Sequence, residues 1–484
     1  MSFRDRFSTK SPKPHTPPRA VQVDLEELDS QWPPVEPLAN ETEAQRADRL
    51  ERERKAKAVS DEIDHAIELE KHERRKRRVD VKIILLGQAE SGKSTILRNF
   101  QLKFTPASFH AEAAAWRAVI DLNLVRSVTF LLSLLSEAPQ GTPPPEGTLV
   151  PLADIGDDLR RLRVALSPLR HVEEHLARFL SPDDQGRAAP TPAWLSERGF
   201  EVAVRPGSRW KALFSRGGAG ASDASKSETQ GVEEVKNARR VIEACREDIL
   251  ALWAHPRVRR SLEEQSVALQ FQSGFFLDEV ERIAAPGYQP SPEDVLKARI
   301  QTVGVEEHVL RMETAPELGQ SWSIIDVGGS RGMRAAWVPY FDDVNVLVFL
   351  APVSAFNQTL AEDRTVNRLW DSFLLWKTVC SNKLLKDVSF ILLLNKYDIL
   401  DAKLKSGVQF RHYVTSYKDR SNDQDSVLIY LKDKFSMIYK QYSTSQRPLH
   451  VHVTCATDSH ATSLVLARIR EVIFTGNFER ADLL

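Results

Sequence analysis

The chain has 484 residues, 42% of them hydrophobic, and a formal net charge of −1. That length allows two or three domains with substantial cores, and the near-neutral charge argues against a nucleic-acid surface as the main business. Cys245, Cys380 and Cys455 are too widely spaced for a disulfide framework or a metal-ligand pattern and fit a reducing compartment. The longest apolar runs, such as 344–353, fall short of the roughly 20 residues a membrane span needs. No signal-peptide pattern opens the chain. Ser2 follows Met1 and no cysteine precedes Cys245, so neither N-myristoylation nor a palmitoylated N-terminal arm is expected.

Residues 1–40 are rich in proline and poor in large apolar side chains, the composition of a disordered tail. Over 41–79 Glu, Arg, Lys and Ala dominate, and Val59, Ile63, Ala66 and Ile67 recur at helical spacing. This predicts a charged helix with a narrow apolar stripe, which sits in solvent or meets a partner. The run Arg74–Arg78 reads as a solvated helix end, with a nuclear signal or an anionic-membrane patch as alternatives.

Val81, Ile83, Ile84, Leu85 and Leu86 predict a strand buried on both faces. It breaks at Gly87 and continues as G-x-x-x-x-G-K-S through Gly92, Lys93 and Ser94, with Thr95 opening a helix. Small residues there let the backbone curl so that successive N–H groups address phosphate oxygens. The lysine neutralises phosphate charge and the serine hydroxyl ligates Mg²⁺.

The next stretch has little strand character. Trp116, Val119, Ile120, Asn123 and Leu124 share one helical face, and a Pro/Gly-rich break at 139–147 separates that helix from a helical segment at 157–180. Residues 181–230, rich in Pro, Gly, Ser and Ala, read as a flexible insertion. Helical periodicity returns at Val241, Cys245, Ile249 and Leu252, so 104–290 is a helical domain. Strands are predicted at 322–327, 344–350, 388–394 and 449–454, with helices between them, as in a mostly parallel α/β sheet. The strand at 81–86 needs parallel neighbours and must belong to that sheet, which makes the helical domain an insertion.

Asn395-Lys396-Tyr397-Asp398 stands at the carboxyl end of a strand, where open α/β sheets bind ligands. A carboxylate at Asp398 accepts from both N1–H and the 2-amino group of guanine. Adenine would leave it unpaired at a cost of about 1–3 kcal/mol, which opposes an ATPase reading. Thr454-Cys455-Ala456-Thr457-Asp458 follows another strand, and the Ala456 N–H can meet guanine O6. Asp326-Val327-Gly328-Gly329 ends a third. Asp326 is suited to a Mg²⁺-bound water, and the Gly329 N–H to a γ-phosphate. Upstream, Thr302 is a candidate second hydroxyl ligand of the metal, and Arg299 a candidate cis-acting arginine finger.

Over about 42–484 the chain resembles heterotrimeric G-protein α subunits, and is similar to the extended fungal type. The resemblance is carried by G-x-x-E-S-G-K-S-T at 87–95, the helical insertion, Y-x-P-x-x-x-D-V-L-x-A-R at 288–299 and D-V-G-G at 326–329. It extends to Trp337, N-K-x-D, T-C-A-T-D and a C-terminal helix. It implies an α/β fold: a Ras-like P-loop GTPase domain (80–103 and 291–484) with an inserted all-α helical domain (104–290). It implies GTP/GDP and Mg²⁺ held by Gly87, Gln88, Ala89, Glu90, Ser91, Gly92, Lys93, Ser94 and Thr95, and by Leu296, Arg299 and Thr302. The remaining implied contacts are Asp326, Gly329, Asn395, Lys396, Asp398, Cys455 and Ala456. Ser94, Thr302 and Asp326 (through water) would hold the metal. The implied partners are a Gβγ dimer on the N-terminal helix and switch II, a G-protein-coupled receptor reading the C-terminus, and an effector. The implied place is the cytosolic face of the plasma membrane, reached through partners.

Departures matter as much. The family's water-orienting glutamine after D-V-G-G is Ser330, which lacks an amide's separate donor and acceptor, so hydrolysis is expected to be slow. The alternative is a module that holds GTP with negligible turnover and is regulated by exchange. The paired lysines before the switch II tryptophan are Ala335 and Ala336, which weakens the expected Gβγ contact. The resemblance also implies a salt bridge from switch II to the next helix in the GTP state, which Arg334 and Asp371 can supply, with an ordinary surface pair as the alternative. Ala481 replaces the family's toxin-modified cysteine.

Overall fold

Residues 81–135, 156–180, 203–204, 226–264, 267–272, 274–302, 304–443 and 448–480 are described in a computed structural model. The tail at 1–40, the charged helix at 41–79, the break at 139–147, most of the 181–230 insertion and Ala481 lie outside the described residues.

The first strand, β1 (Val81–Gly87), is fully paired and almost wholly buried. Because alternate side chains of a strand face opposite ways, Val81, Ile83 and Leu85 enter one core while Ile84 and Leu86 enter another on the reverse face. A two-residue strand, β2 (Ala203–Val204), pairs in parallel with β3 (Gln301–Thr302) in a separate small sheet. The remaining strands are β4 (Val305–Arg311), β5 (Ser321–Val327), β6 (Val346–Pro352), β7 (Ser389–Asn395) and β8 (Leu449–Thr454). The main sheet runs β4-β5-β1-β6-β7-β8, parallel except for β4, which pairs antiparallel with β5. The carboxyl ends of β1, β5, β7 and β8 therefore lie along one edge, and each leads into one of the predicted motifs.

Four sequence-based expectations need correction. β4 was not foreseen, because Val-Glu-Glu-His-Val-Leu-Arg is an edge strand with only Leu310 buried and lacks the apolar run of an interior strand. The 157–180 segment is two helices, Asp157–Ala165 and Leu169–Leu180, divided next to Pro168. The insertion is not without structure, since it contributes β2, and helix Lys226–Ala244 begins inside it. The helix after the phosphate loop opens at Lys93, two residues earlier than expected.

A third core belongs to the helical segments. The long helix Pro106–Leu134 buries Trp116, Val119, Ile120 and Leu124, the face read from the sequence, against Leu169–Leu180 and Lys226–Ala244. In the sheet's own core, Trp376 of helix Arg368–Cys380 is fully buried among Phe349, Phe390, Phe435 and Tyr439, and its indole N–H donates to Phe435 O at 3.0 Å. Trp376→Ala should cost about 3–5 kcal/mol of stability, the range for deleting a large buried aromatic. Urea unfolding would measure this, and a loss below about 1 kcal/mol would mean that the packing is not cohesive.

Candidate functional site

The turn from β1 into helix Lys93–Phe104 is shaped by its carbonyl groups. Lys93 Nζ donates to Gly87 O at 3.0 Å and to Gln88 O at 2.8 Å, Arg368 Nη2 to Ala89 O at 2.6 Å, and Asn395 Nδ2 to Ser91 O at 2.7 Å. Gly92 O accepts from Ile96 N at 2.9 Å as the helix begins. A planar trans peptide that commits its carbonyl to one side offers its N–H on the other, so the loop is built to present N–H groups to an anion. Gly87 and Gly92 have φ of 144° and 103°. A methyl at Gly92 would strike the Asn395 amide, and one at Gly329 would strike the Gln88–Ala89 backbone. Gly87 and Gly92 are required by close approach as well as by φ, and Gly329 by close approach alone.

A cavity of about 260 Å³ opens over this loop. Its walls include Ala89, Glu90, Gly92, Lys93, Ser94 and Thr95 from the loop, and Leu296 and Arg299 from the linker leaving the helical segments. They also include Gly329, Asn395 at the end of β7 with Lys396 and Asp398 after it, and Cys455 and Ala456 after β8. Five stretches far apart in sequence thus converge on one cavity. Gly87, Gln88, Ser91, Asp326 and Ser330 stand behind the walls. The Thr302 backbone forms β3, but its side chain lies outside the described residues. Gln270, Phe271 and Gln272, from a helical-segment turn not foreseen as part of the site, close the far side.

Asn395 links two loops, because Nδ2 holds Ser91 O while Oδ1 accepts from Ala456 N at 3.0 Å and Thr454 Oγ1 at 3.2 Å. The Ala456 N–H expected to meet guanine O6 is therefore engaged with Asn395 in this structure. Lys396 sits at φ 67°, a left-handed position that a non-glycine residue adopts at some cost, at the point where helix Tyr397–Lys405 begins.

Burial pushes the Lys93 ammonium down to about 8, with Asp326 acting the other way, and burial likewise lowers Lys396 to about 8. Two ammonium groups are thus held at the cavity with less negative charge than they would find in a full ion pair, the complement of a polyanionic ligand. Ser94 Oγ donates to Asp326 Oδ2 at 2.6 Å, placing a hydroxyl and a carboxylate side by side. Hard oxygen donors of this kind fit Mg²⁺, which takes one or two protein oxygens and completes its shell with water and phosphate.

Several residues that build the site escaped the sequence reading. Asn123, from the middle of the long helix, grips the Arg299 backbone at both ends, accepting from its N–H at 2.7 Å and donating to its carbonyl at 3.1 Å. Arg98 donates to Val295 O at 2.6 Å and Ala298 O at 2.7 Å with its guanidinium 4.2 Å from the Trp116 ring centre. Together they fix the linker carrying Leu296 and Arg299. Arg299 pairs with Glu90 at 2.9 Å, and Glu90 also pairs with Arg368 at 3.1 Å. Arg334 reaches Asp371 with both terminal nitrogens, at 3.1 and 2.5 Å, so the expected contact between switch II and the next helix is present.

Comparison with known proteins agrees with this geometry. The family model described as G-protein alpha subunit matches residues 57–473. A guanine nucleotide-binding protein alpha-4 subunit of Mycosarcoma maydis is 29% identical, covering 93% of this chain and 94% of the relative. An alpha-1 subunit of Neurospora crassa is 28% identical over 89% of this chain and 98% of its own. An alpha-17 subunit of Caenorhabditis briggsae is 29% identical over 84% and 91%. With most of its length matched by the family model and its motifs gathered around one cavity, the chain belongs to the G-protein alpha subunit family of guanine-nucleotide-binding signal transducers.

Proposed function

We propose that this protein switches between GDP and GTP states downstream of a G-protein-coupled receptor and hydrolyses GTP slowly. The observation that carries the reading is the convergence of the phosphate loop, Arg299, Gly329 and the Asn395–Asp398 turn on one cavity. In this reading the GTPase domain is 80–103 with 291–484, the helical domain is 104–290, and the nucleotide occupies the residues named from the sequence. The loop N–H groups and Lys93 hold the phosphates, and Asp398 reads the guanine edge. Ser94 and Thr302, with Asp326 through water, would hold Mg²⁺, which when bound would neutralise phosphate charge. Arg299, released from Glu90, supplies positive charge to the transition state.

Ser330 is the residue in question. It is 4% exposed and stands off the cavity walls, and a serine hydroxyl cannot accept from an attacking water and donate to phosphate through separate groups as an amide does. We expect single-turnover hydrolysis below the roughly 10⁻² s⁻¹ of α subunits with their arginine in cis, and a rise of about tenfold or more in Ser330→Gln. Equal rates in the two proteins would refute this role. The same burial favours a second reading, a GTP-holding module with negligible turnover. Phosphate release that stays flat with and without a GTPase-activating protein would select it.

Gβγ remains a proposed partner on a weakened surface, since Ala335 and Ala336 are both exposed where the family carries lysines. Converting both to lysine should tighten Gβγ capture by about tenfold through two charged contacts. Unchanged capture would remove this surface from the interface.

A further inference from the structure

Gln88 occupies the second position of the phosphate loop, where the sequence called only for a backbone N–H. Its side chain is 1% exposed and turns away from the cavity. Nε2 donates to Arg368 O at 2.9 Å and to Asp371 Oδ2. Both neighbours are acceptors, so the amide has one sensible orientation, nitrogen towards them. Asp371, itself buried, is also the anchor of switch II: Arg334 reaches it with two nitrogens and Arg331 Nε lies 3.4 Å away. Burial alone would raise the Asp371 carboxyl, but the bonds from Arg334 and Gln88 leave it lower than an ordinary aspartate. Immediately before these arginines, Gly329 packs on the Gln88–Ala89 backbone so closely that a methyl group would not fit.

We infer that Gln88 is a positioning residue that latches switch II to the phosphate loop through Asp371, independently of the γ-phosphate. The inference rests on the GDP/GTP reading above but adds to it. A switch segment that is ordered only by γ-phosphate contacts gains its structure on GTP binding. Here a neutral donor from the loop itself completes the shell of the carboxylate that both arginines need. Switch II is therefore held largely in place in the GDP state, and the structural difference between the two nucleotide states is small.

Trypsin tests this directly, because Arg331 and Arg334 are its cleavage sites and are also the latched residues. The full chain and Gln88→Met, which keeps length but loses the N–H donor, are digested with GDP·Mg²⁺ and with a non-hydrolysable GTP analogue, and cleavage after the two arginines is timed by mass spectrometry. In the wild type the two states should be cut at rates within about twofold. In Gln88→Met the GDP state should be cut about tenfold faster, as loss of one hydrogen bond to a charged group predicts, and the GTP analogue should restore protection. A merely structural role would speed cleavage throughout the chain and would not be reversed by the analogue. The inference is overturned if wild-type switch II is cut as fast with GDP as the variant, or if the variant is as resistant as the wild type. If Gln88→Met does not fold, Gln88→Asn, too short to span both acceptors, takes its place with the same expected outcomes. A wild type that fails to retain fluorescent GDP refutes the GDP/GTP reading instead. The latch is then judged on the nucleotide-free proteins, where the same tenfold difference supports it and equal cleavage overturns it.

Discussion

The carbonyl groups of the phosphate loop are the constraint on which the rest depends. The five residues 88–92 between β1 and the helix have no regular ladder to satisfy their backbone, and buried polar groups must find partners. Here the partners come from Lys93 at the start of the helix, from Arg368 after β6 and from Asn395 at the end of β7. Each bond turns a carbonyl away from the cavity and leaves N–H groups facing it. The loop's shape is thus a property of the whole sheet edge, and the glycines at 87, 92 and 329 mark where that edge closes most tightly.

The same edge is joined to the helical segments through one linker. Arg98, in the helix that follows the loop, holds the linker carbonyls, while Asn123 in the long helix holds Arg299 from the other side. Arg299 in turn meets Glu90 of the loop. An arginine placed in this way is supported by both parts of the fold, and in the catalytic role proposed for it the ion pair with the loop must first open. Switch II is tied to the loop by a second route through Asp371. The family's water-orienting amide is missing at position 330, whereas an amide appears at position 88 with a structural task.

Much of this was legible in the sequence because the chemistry is local. A buried strand followed by G-x-x-x-x-G-K-S, and short motifs at strand ends, specify their own geometry within a few residues. Arg334 with Asp371 was also expected, through the resemblance to the family's switch II rather than from a local pattern. What was not legible depends on partners far along the chain. Asn123 contacts a residue 176 positions away and Gln88 one 280 away, and neither has a motif around it. Asn123 was placed on the helical face of Trp116 and Val119 with no partner to suggest its role. β4 was missed for a different reason, since an edge strand with one buried residue carries no hydrophobic pattern to read. The short strand in the insertion exists only through its pairing with Gln301–Thr302, which composition cannot reveal.

The central claim is that this cavity is a guanine-nucleotide site. Its most direct test compares thermal unfolding of the full chain with Mg²⁺ and saturating GDP against Mg²⁺ and ADP at the same concentration. A ligand that binds only the folded state stabilises it by mass action, so GDP should raise the midpoint by at least about 5 °C and ADP by less than about 1 °C. Equal shifts with the two nucleotides, or none with GDP, would contradict the account.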